Sequence, residues 1–454
     1  MDLVEKKVTV LGLGKRTGIA TVKFLINKGA NVVVSDVKSE TELKEELMEL
    51  NDYEIEYDLD GHSDKAINNT DMIVISPGVP SQISILQKAK RLGIPVISAI
   101  ELAYHFCAAP IVAITGTNGK TTTTTLTGEI FNATQDEVVV GGNIGRPLIR
   151  DVNNLSSKGA VIAEISSFQL ENIEEFRPKI SLILNLTPDH LDRHGSFEDY
   201  IEAKKKIFSN QQGTDYTILN YDDPVTRELA DDTHGTVVYF SQKEEVEYGL
   251  YIENGEVINN LTAEKEIFIE VDEIGIKGPH NLENALGAIS IALLSDIEPE
   301  IIKDVVREFN GVEHRIEDVA VIDKVRYVND SKATNPVSAM KALETFSEPL
   351  ILIAGGMDKK SDFSEFADKV AENVKVLILL GETADEIEQS MKSLGFNAIK
   401  RINTIEDAVK VAVDISIAGD LVLLSPACAS WDMFSSYKER GQKFKKAVFD
   451  LRRQ

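Results

Sequence analysis

Cysteine, tryptophan and positive charge are scarce in this sequence. Its 454 residues include one tryptophan and two cysteines, Cys107 and Cys428. Two cysteines so far apart provide neither a disulfide framework nor the spacing of a metal site, so we expect a reducing, cytoplasmic environment. The chain also lacks an apolar run near the roughly 20 residues that a membrane-spanning helix needs, and its first residues do not have the pattern of a signal peptide. We therefore expect no membrane insertion.

The charge balance is strongly acidic. The sequence has 48 Lys and Arg against 74 Asp and Glu, which gives a formal net charge of −26. Such a field repels nucleic acid and anionic membranes, so we expect no nucleic-acid partner. An anionic substrate would need positive charge concentrated locally, for which the candidates are Lys15, Arg16, Lys120, Arg315, Lys332 and Lys359.

The order of predicted elements indicates an α/β protein of three domains. The length corresponds to about three domains at roughly 150 residues each, and short β-rich runs alternate with amphipathic stretches, as in parallel α/β folds. We place the domains at residues 1–98, 99–311 and 312–454, and we expect antiparallel hairpins within 236–275. Predicted strands cover 7–13, 31–36, 72–76, 95–98, 111–115, 160–165, 180–186, 216–220, 326–328, 350–354, 375–380 and 421–425, and predicted helices include 17–28, 84–92 and 281–294.

The most informative motif follows the apolar run that ends at Thr115. The sequence continues Gly-Thr-Asn-Gly-Lys-Thr, which delivers Lys120 and Thr121 to the start of a predicted helix. Backbone N–H groups of such a loop point at phosphate oxygens, the lysine supplies a positive charge, and the hydroxyl can reach Mg²⁺. Gly116 and Gly119 are closer together than in the usual phosphate loop, and a simple strand-to-helix turn is the alternative. We predict an ATP site.

A second glycine-rich loop, 12–18, follows the first predicted strand. With Asp36 at the end of the next strand it is similar to a dinucleotide fingerprint, but its spacing is one residue too long, and Lys15 and Arg16 favour a different diphosphate. The sequence Ser76-Pro-Gly-Val-Pro also follows a parallel strand, where ligands bind in such sheets; a plain turn is the alternative.

Polar residues follow other predicted strands. Glu164 lies in an apolar run, where a carboxylate is costly unless it is paired or binds a metal. His190 follows a strand and is either structural or a Mg²⁺ or phosphate ligand. Asn281 and Asn284 share one face at a helix start, although Asn281 is also a candidate N-cap. The run Lys204-Lys205-Lys206 has the pattern of a solvated helix face.

In the third domain, four polar or glycine-containing segments adjoin predicted strands. If they meet at one edge of the sheet, they form a ligand cleft. These segments are 314–315, 329–335, 355–359 and 425–430.

Taken together, these motifs resemble those of the Mur ligases. The phosphate loop, His-Asn-Leu-Glu-Asn-Ala at 280–285 and His-Arg at 314–315 are shared with folylpolyglutamate synthetases. Gly-Asn-Ile-Gly at 142–145, Asp-His-Leu-Asp-Arg at 189–193 and Asn-Asp-Ser-Lys-Ala-Thr-Asn at 329–335 also match. Ser-Ser-Phe-Gln-Leu at 166–170 and Pro-Ala-Cys-Ala-Ser at 426–430 are similar to the glutamate-adding member of the family. The resemblance covers the whole chain.

The resemblance implies a Rossmann-like UDP-binding domain, a central ATPase with a parallel sheet plus a small antiparallel sheet, and a Rossmann-like C-terminal domain. The implied substrates are ATP, UDP-N-acetylmuramoyl-L-alanine and D-glutamate, with two Mg²⁺ ions. The carboxylate of the UDP-linked substrate would attack the γ-phosphate of ATP, and the amine of glutamate would then displace phosphate. We expect a monomer.

The resemblance also implies roles for individual residues. Lys120, Glu164, His190 and Lys204 would be catalytic, with His190 also a candidate base, and Lys204 would be carbamylated by CO₂. The metal ligands would be Thr121, Glu164, His190 and the Lys204 carbamate. ATP would be bound by Gly116, Thr117, Asn118, Gly119, Lys120, Thr121, Thr122, Asn281, Asn284, Arg315 and Asp330. The UDP-sugar would be bound by Lys15, Arg16, Thr17, Asp36, Ser76, Gly78 and Asn143. Glutamate would be bound by Lys332, Thr334, Lys359, Ser430 and Tyr437.

Three alternatives stay open at this point. A non-catalytic nucleotide or UDP-sugar sensor would not need Lys120, Glu164 and Lys204, all of which are present. A dinucleotide oxidoreductase built on loop 12–18 would leave the phosphate loop unused. A folate-type ligase or another Mur ligase is the nearest competitor.

Overall fold

The computed structural model describes residues 1–357 and 362–451. The chain divides into two compact units, Met1–Phe309 and Asn310–Gln454. Each unit is built around sheets dominated by parallel strands, which confirms the α/β class. Among the described residues, no helix is both long and apolar enough to cross a bilayer.

The first sheet of the N-terminal unit has five parallel strands in the order β3-β2-β1-β4-β5. Its central strands are runs of β-branched residues with both faces buried, as is typical of parallel sheets covered by helices. The strands are β1 Lys7–Leu11, β2 Asn31–Ser35, β3 Glu56–Asp58, β4 Met72–Ile75 and β5 Val96–Ser98, and the helices are α1 Thr17–Asn27, α2 Lys44–Met48, α3 Ser84–Arg91 and α4 Ala99–His105.

The second sheet has nine strands in the order β14-β13-β12-β11-β10-β9-β6-β8-β7. Its strands are β6 Ile111–Thr115, β7 Val138–Gly142, β8 Ala160–Glu164, β9 Ile180–Ile183, β10 Tyr216–Asn220, β11 Thr236–Ser241, β12 Gly249–Glu253, β13 Glu256–Asn260 and β14 Glu266–Glu270. The helices are α5 Lys120–Asn132, α6 Ser167–Leu170, α7 Leu191–His194, α8 Phe197–Lys205, α9 Pro224–Glu228, α10 Pro279–Leu294 and α11 Pro299–Glu308.

Two features of this part of the chain, one in the sheet and one in helix α10, differ from the sequence prediction. The antiparallel strands β12, β13 and β14 do not form a separate sheet, because β12 pairs with β11 and so extends the parallel strands. Helix α10 begins at Pro279, two residues before the predicted start, because proline suits the first helical position. Asn281 therefore lies within the first turn, so its N-cap interpretation is wrong.

One hydrophobic core runs through both sheets of the N-terminal unit. It includes Val10 of β1, Leu102 of α4 and Ala163 of β8. Because α4 contributes to this core, the first two predicted domains pack as one body. The boundary at residues 98 and 99 stays a prediction.

The C-terminal unit contains one six-stranded sheet in the order β15-β16-β20-β17-β18-β19, parallel except for the edge pair β15–β16. Its strands are β15 Glu317–Ile322, β16 Val325–Asn329, β17 Leu350–Ala354, β18 Val374–Leu379, β19 Ile399–Arg401 and β20 Leu421–Leu424. Its helices are α12 Pro336–Leu343, α13 Ser364–Asn373, α14 Ala384–Ser393, α15 Ile405–Ile415 and α16 Tyr437–Leu451.

Candidate active site

The predicted phosphate loop connects β6 to α5 as the sequence indicated. Gly116 and Gly119 have φ angles of +151° and +82°, a region that favours glycine. Lys120 is the first residue of α5, and its Nζ donates to the carbonyl oxygens of Gly116 at 2.8 Å and Thr117 at 2.9 Å. The lysine head therefore lies over its own loop, at a helix N-terminus suited to anions.

Segment 185–187 is hydrogen-bonded to the phosphate loop. Asn185 accepts from the backbone N–H of Asn118 at 2.8 Å, and the N–H of Thr187 donates to Thr117 Oγ1 at 3.0 Å. Thr117 Oγ1 is also 3.0 Å from the hydroxyl of Tyr200. Sequence reasoning did not select Asn185 or Tyr200, because nothing in the linear pattern shows which side chains reach this loop.

Helix α10 packs beside the loop and brings two predicted ATP-binding residues to it. A Cβ at Gly119 would lie 2.1 Å from Asn284 Oδ1, so any other residue there would displace the Asn284 side chain. Asn284 is buried, accepts from Thr123 Oγ1 at 3.3 Å, and donates to Asn281 Oδ1 at 3.3 Å. The asparagine pair is therefore next to the phosphate loop, although the two segments are far apart in the chain.

Lys204 is buried, with 2% of the residue exposed. Its Nζ donates to Thr115 Oγ1 at 3.1 Å and to the Gly116 carbonyl at 2.9 Å, the same carbonyl that Lys120 contacts. Burial lowers the pKa of Lys204 well below its ordinary value and the charge of Lys120 lowers it further, while Asp189 and Glu164 oppose the shift. The charge-run interpretation of a solvated helix face is wrong for Lys204, because one face of α8 packs on the phosphate loop.

Glu164 ends β8 with its side chain buried. Oε1 accepts from Asn143 Nδ2 at 2.7 Å, whereas Oε2 is buried and has no hydrogen-bond partner among the described residues. A buried carboxylate oxygen in this state is costly unless a cation or another donor is bound there. Asn143, predicted as a UDP-sugar contact, thus also orients Glu164.

His190 has a left-handed backbone, with φ of +52°, immediately before α7. Its ring lies 5.0 Å from the ring of Phe168, centroid to centroid, and Nε2 lies 3.8 Å from Asp189 Oδ2. About half of the side chain is exposed. The imidazole is therefore accessible to a ligand.

The predicted metal ligands comprise three oxygen donors and one imidazole nitrogen, that of His190. Among the described residues, no group of three or more His, Cys, Asp and Glu side chains is close enough to hold a metal. The predicted set draws instead on a hydroxyl, Thr121, and a modified lysine, together with Glu164 and His190. Magnesium prefers oxygen ligands and keeps several waters, so few carboxylates are needed.

The loops of the first sheet carry six of the seven predicted UDP-sugar residues, at the carboxyl ends of β1, β2 and β4, whereas Asn143 follows β7 of the second sheet. Asp36 accepts from the backbone N–H of Leu13 at 2.7 Å, and thereby fixes the start of loop 12–18. Lys15 pairs with Glu45 at 2.6 Å on the surface, and Arg16 donates to the carbonyl of Gly145. Thr17 begins α1, and Ser76 and Gly78 lie in the turn after β4.

In the C-terminal unit, Asp330 follows β16 and is buried. Its carboxylate accepts from Ser425 Oγ at 2.8 Å and from the N–H of Ile316 at 3.3 Å. Burial raises the pKa of Asp330 to about 7, against the opposing effects of Ser425 and Arg315. Asp330 therefore ties the Arg315 turn to the end of β20.

The predicted glutamate-binding residues of this unit occupy neighbouring segments. The N–H of Lys332 donates to the His314 carbonyl at 3.0 Å, and Ser331 Oγ donates to the Tyr437 carbonyl at 2.8 Å. Ser430 is buried and Thr334 is half-buried. Lys359 lies outside the described residues.

Replacing Asp330 by asparagine is expected to change how stability depends on pH. The folded-state pKa of about 7 lies above the ordinary value of 3.8, so the unfolded chain binds fewer protons between these values, and wild-type stability falls as pH rises through that window. The amide side chain of the D330N variant does not titrate. Between pH 5.5 and 8 the free energy of unfolding should therefore shift in favour of D330N by about 2 kcal/mol, at 1.4 kcal/mol per pKa unit.

Denaturant unfolding of both proteins at several pH values measures this shift. Asp362 is a matched control, because its exposed carboxylate has a lowered pKa and D362N should differ from wild type by a constant amount over the same range. A constant difference for D330N as well would contradict the prediction.

A glycine loop with a lysine and a threonine at the start of a helix, at the carboxyl end of a parallel sheet, defines the class: a nucleotide-binding α/β protein of the phosphate-loop type. Family models match in chain order: the MurD-like N-terminal domain of Mur ligases at residues 6–98, the Mur ligase middle domain at 114–292, and the Mur ligase glutamate ligase domain at 314–428. The chain belongs to the Mur ligase family.

Full-length relatives support this membership. The UDP-N-acetylmuramoylalanine--D-glutamate ligases of Clostridioides difficile and Caldanaerobacter subterraneus are each 48% identical to this chain, and that of Pelotomaculum thermopropionicum is 46% identical. The alignments cover all of this chain and 99–100% of each relative.

Solved structures show the same fold. The UDP-N-acetylmuramate-alanine ligase MurC of Thermotoga maritima matches with a TM-score of 0.56 at 21% identity, over 98% of this chain and 99% of that one. A pseudomurein peptide ligase type C of Methanothermus fervidus matches with a TM-score of 0.54 at 20% identity, over 98% and 100%. At these identities the likeness concerns the fold.

Proposed function

We propose that this chain is an ATP-dependent ligase that joins D-glutamate to UDP-N-acetylmuramoylalanine in peptidoglycan precursor synthesis. Full-length identity of 46–48% to relatives of that name supports the substrates. The observation that best supports the chemistry is that the Nζ atoms of Lys120 and Lys204 both donate to the Gly116 carbonyl oxygen of the phosphate loop. A non-catalytic sensor would have no need for this pair or for Glu164.

The reaction has two steps. The carboxylate of the UDP-linked substrate attacks the γ-phosphorus of ATP, which releases ADP and leaves an acyl phosphate. The amine of D-glutamate then attacks the acyl carbon, phosphate leaves, and the nitrogen loses a proton to form the amide. Two anions meet in the first step, so positive charge must offset their repulsion, and Lys120 is placed to do so.

We propose Thr121, Glu164, His190 and carbamylated Lys204 as ligands of two Mg²⁺ ions. Glu164 Oε2, buried and without a hydrogen-bond partner in the part of the chain that the structure describes, supports this assignment. Bound magnesium would supply further positive charge to the phosphates. Asn143 holds the other carboxylate oxygen of Glu164 at 2.7 Å and so keeps Oε2 oriented.

The surroundings of Lys204 support its carbamylation. The neutral amine attacks the carbon of CO₂ and loses a proton to solvent, which converts the amine into a carbamate anion. The lowered pKa of Lys204 favours that neutral amine, because burial and the charge of Lys120 both disfavour an ammonium at this position. The carbamate anion would be attracted by the ammonium of Lys120 and by the proposed Mg²⁺ ions, whereas an ammonium at this position would be repelled by them.

Binding roles for the remaining residues follow from their segments. We propose that ATP contacts Gly116–Thr122, Asn281 and Asn284, and that Arg315 and Asp330 also hold the nucleotide. We assign the UDP-sugar to Lys15, Arg16, Thr17, Asp36, Ser76, Gly78 and Asn143, and glutamate to Lys332, Thr334, Lys359, Ser430 and Tyr437. A cytoplasmic, monomeric enzyme remains part of the proposal, and the reduced cysteines Cys107 and Cys428 fit a reducing compartment.

A substrate panel tests the reaction. With UDP-N-acetylmuramoyl-L-alanine and ATP present, phosphate release should require D-glutamate, because the acyl phosphate needs a matching amine acceptor. L-glutamate, L-lysine and meso-diaminopimelate should each give less than about a tenth of that rate, a discrimination of about 1.4 kcal/mol or more. ATP turnover at full rate without an amino acid, or a preference for one of the other three, would contradict the proposal.

A further inference from the structure

The side chain of Arg193, in α7, connects the two sheets of the N-terminal unit. Its Nη1 donates to the carbonyl oxygen of Pro77 at 2.9 Å, and its Nη2 donates to that of Val79 at 3.0 Å. Nη2 also contacts Glu171 Oε2 at 3.2 Å, and only 18% of the arginine side chain is exposed. One guanidinium thus holds the turn after β4 against the second sheet.

The contact geometry requires a guanidinium. Its planar fork donates in two directions at once, which a lysine ammonium on a flexible stem does not reproduce. The guanidinium carbon also lies 4.0 Å from the centroid of the Phe168 ring, a cation–π contact. Nε is buried without a hydrogen-bond partner among the described residues, so the two carbonyls, Glu171 and the ring fix its orientation.

On the side of the first sheet, the turn held by Arg193 also supports the glycine-rich loop 12–18. The N–H of Val79 donates to the Ser76 carbonyl at 3.0 Å and closes the turn. Ser76 Oγ donates to the Gly12 carbonyl at 2.6 Å, and a Cβ at Gly12 would lie 2.6 Å from Val79 Cγ2. A shift of the turn would therefore move the start of the loop.

On the side of the second sheet, Arg193 contacts a segment next to the proposed catalytic residues Glu164 and His190. Phe168, under the guanidinium, also packs against the His190 ring at 5.0 Å. Phe168 lies in α6, just after Glu164 at the end of β8. The same side chain therefore contacts the turn after β4 in one sheet and, in the other, the segment that follows Glu164.

We propose that Arg193 is a positioning residue for the loops after β1 and β4. It would set their distance from Glu164 and His190 so that the carboxylate of the UDP-linked substrate is correctly placed. It acts through the Ser76–Pro80 turn and contacts no substrate itself. This inference rests on the proposed function, because it assumes that the loops after β1 and β4 bind the UDP-sugar. The phosphate loop is fastened separately by Asn185 and Thr187, so ATP binding should not depend on Arg193.

The test compares full-length R193M and R193K with wild type. Methionine keeps an apolar stem over Phe168 and removes all three hydrogen bonds, and lysine keeps the charge but not the fork. In both variants KM for UDP-N-acetylmuramoyl-L-alanine should rise at least tenfold, more in R193M, while KM for ATP should stay within twofold. K28M is the matched control, because Lys28 also connects the parts of the chain that contain the two sheets, by donating to Asn153 Oδ1 at 2.5 Å. This variant should leave both KM values unchanged.

Calorimetric binding of UDP-N-acetylmuramoyl-L-alanine without ATP separates this inference from the proposed function. Weaker binding to R193M than to wild type supports the positioning role even if wild type shows no turnover, an outcome that would count only against the ligase reaction. Unchanged binding and KM in R193M would overturn the inference. Equal increases in both KM values with a lower melting temperature would also overturn it, since they would show general destabilisation.

Discussion

Replacing Lys204 by alanine is expected to lower D-glutamate-dependent ADP release about 10²- to 10³-fold, the range typical of losing one preorganised electrostatic group. Lys204 is buried against the phosphate loop and lies on the Gly116 carbonyl. Burial and the charge of Lys120 lower the pKa of Lys204 well below the ordinary value, which favours the neutral amine that carbamylation requires. Removal of the side chain would remove the carbamate anion that we assign to the metal site.

A short carboxylate should restore part of the lost activity. Formate or acetate, added to K204A, can place an anion in the space left by the lysine stem, and turnover should rise with its concentration. Wild type incubated with ¹³C-bicarbonate should show a carbamate carbon resonance that K204A lacks. The absence of both rescue and resonance would contradict carbamylation.

Lys205 provides a control on the same helix. Its Nζ pairs with Glu202 at 2.6 Å and Asp232 at 3.3 Å near the surface, so K205A should keep nearly full activity and gain nothing from formate. Equal losses in K204A and K205A would indicate damage to α8 rather than loss of a catalytic group.

Replacing Lys120 by alanine is expected to reduce kcat/KM for ATP by about 10³-fold, because we assign to this lysine the role of offsetting charge that develops on the phosphates. Arginine should not rescue the loss, since its fork is larger and lacks the compact charge of an ammonium. The Nζ of Lys120 donates to two carbonyl oxygens of the loop, a geometry that fits a compact ammonium. Steady-state kinetics with varied ATP measures the effect.

The control for Lys120 is K179A, which removes a lysine that pairs with Asp215 at 3.4 Å in the same unit. We expect unchanged kinetics in K179A and unchanged melting temperatures in both variants. If K120A kept wild-type affinity for an ATP analogue together with wild-type turnover, the nucleotide would have to bind elsewhere, and the proposed mechanism would fail.

The local features of the site could be predicted from the sequence because they depend on short-range patterns. The apolar run Ile111–Thr115, the glycines that follow it and Lys120 at the helix start all appear in the structure as predicted. The boundaries were less accurate: β9 ends at Ile183 rather than at residue 186, and α10 begins two residues early. Hydrogen bonding to neighbouring strands and the fixed φ of proline set these ends.

Contacts between distant segments could not be predicted in this way. The run Lys204–Lys206 has the composition of a solvated surface, and only the packing of α8 shows that its first lysine is buried. Asn185 and Tyr200 support the phosphate loop, yet neither belongs to a motif that a spacing rule would select. Arg193 was visible as part of a family motif, but its carbonyl partners lie more than 110 residues away.

The sequence by itself determined which chemistry is available to this protein: a phosphate loop with a lysine at the start of the next helix, carboxylates at strand ends, and an order of elements that makes parallel sheets. These follow from local periodicity and backbone preferences, which depend on residues a few positions apart. The tertiary structure alone decided the lowered pKa of Lys204, the hydrogen bond from Arg193 to the Pro77 carbonyl, and the lack of a partner for Glu164 Oε2 among residues 1–357 and 362–451. Burial and hydrogen-bond partners set those properties, and both arise only when segments distant in the chain pack together.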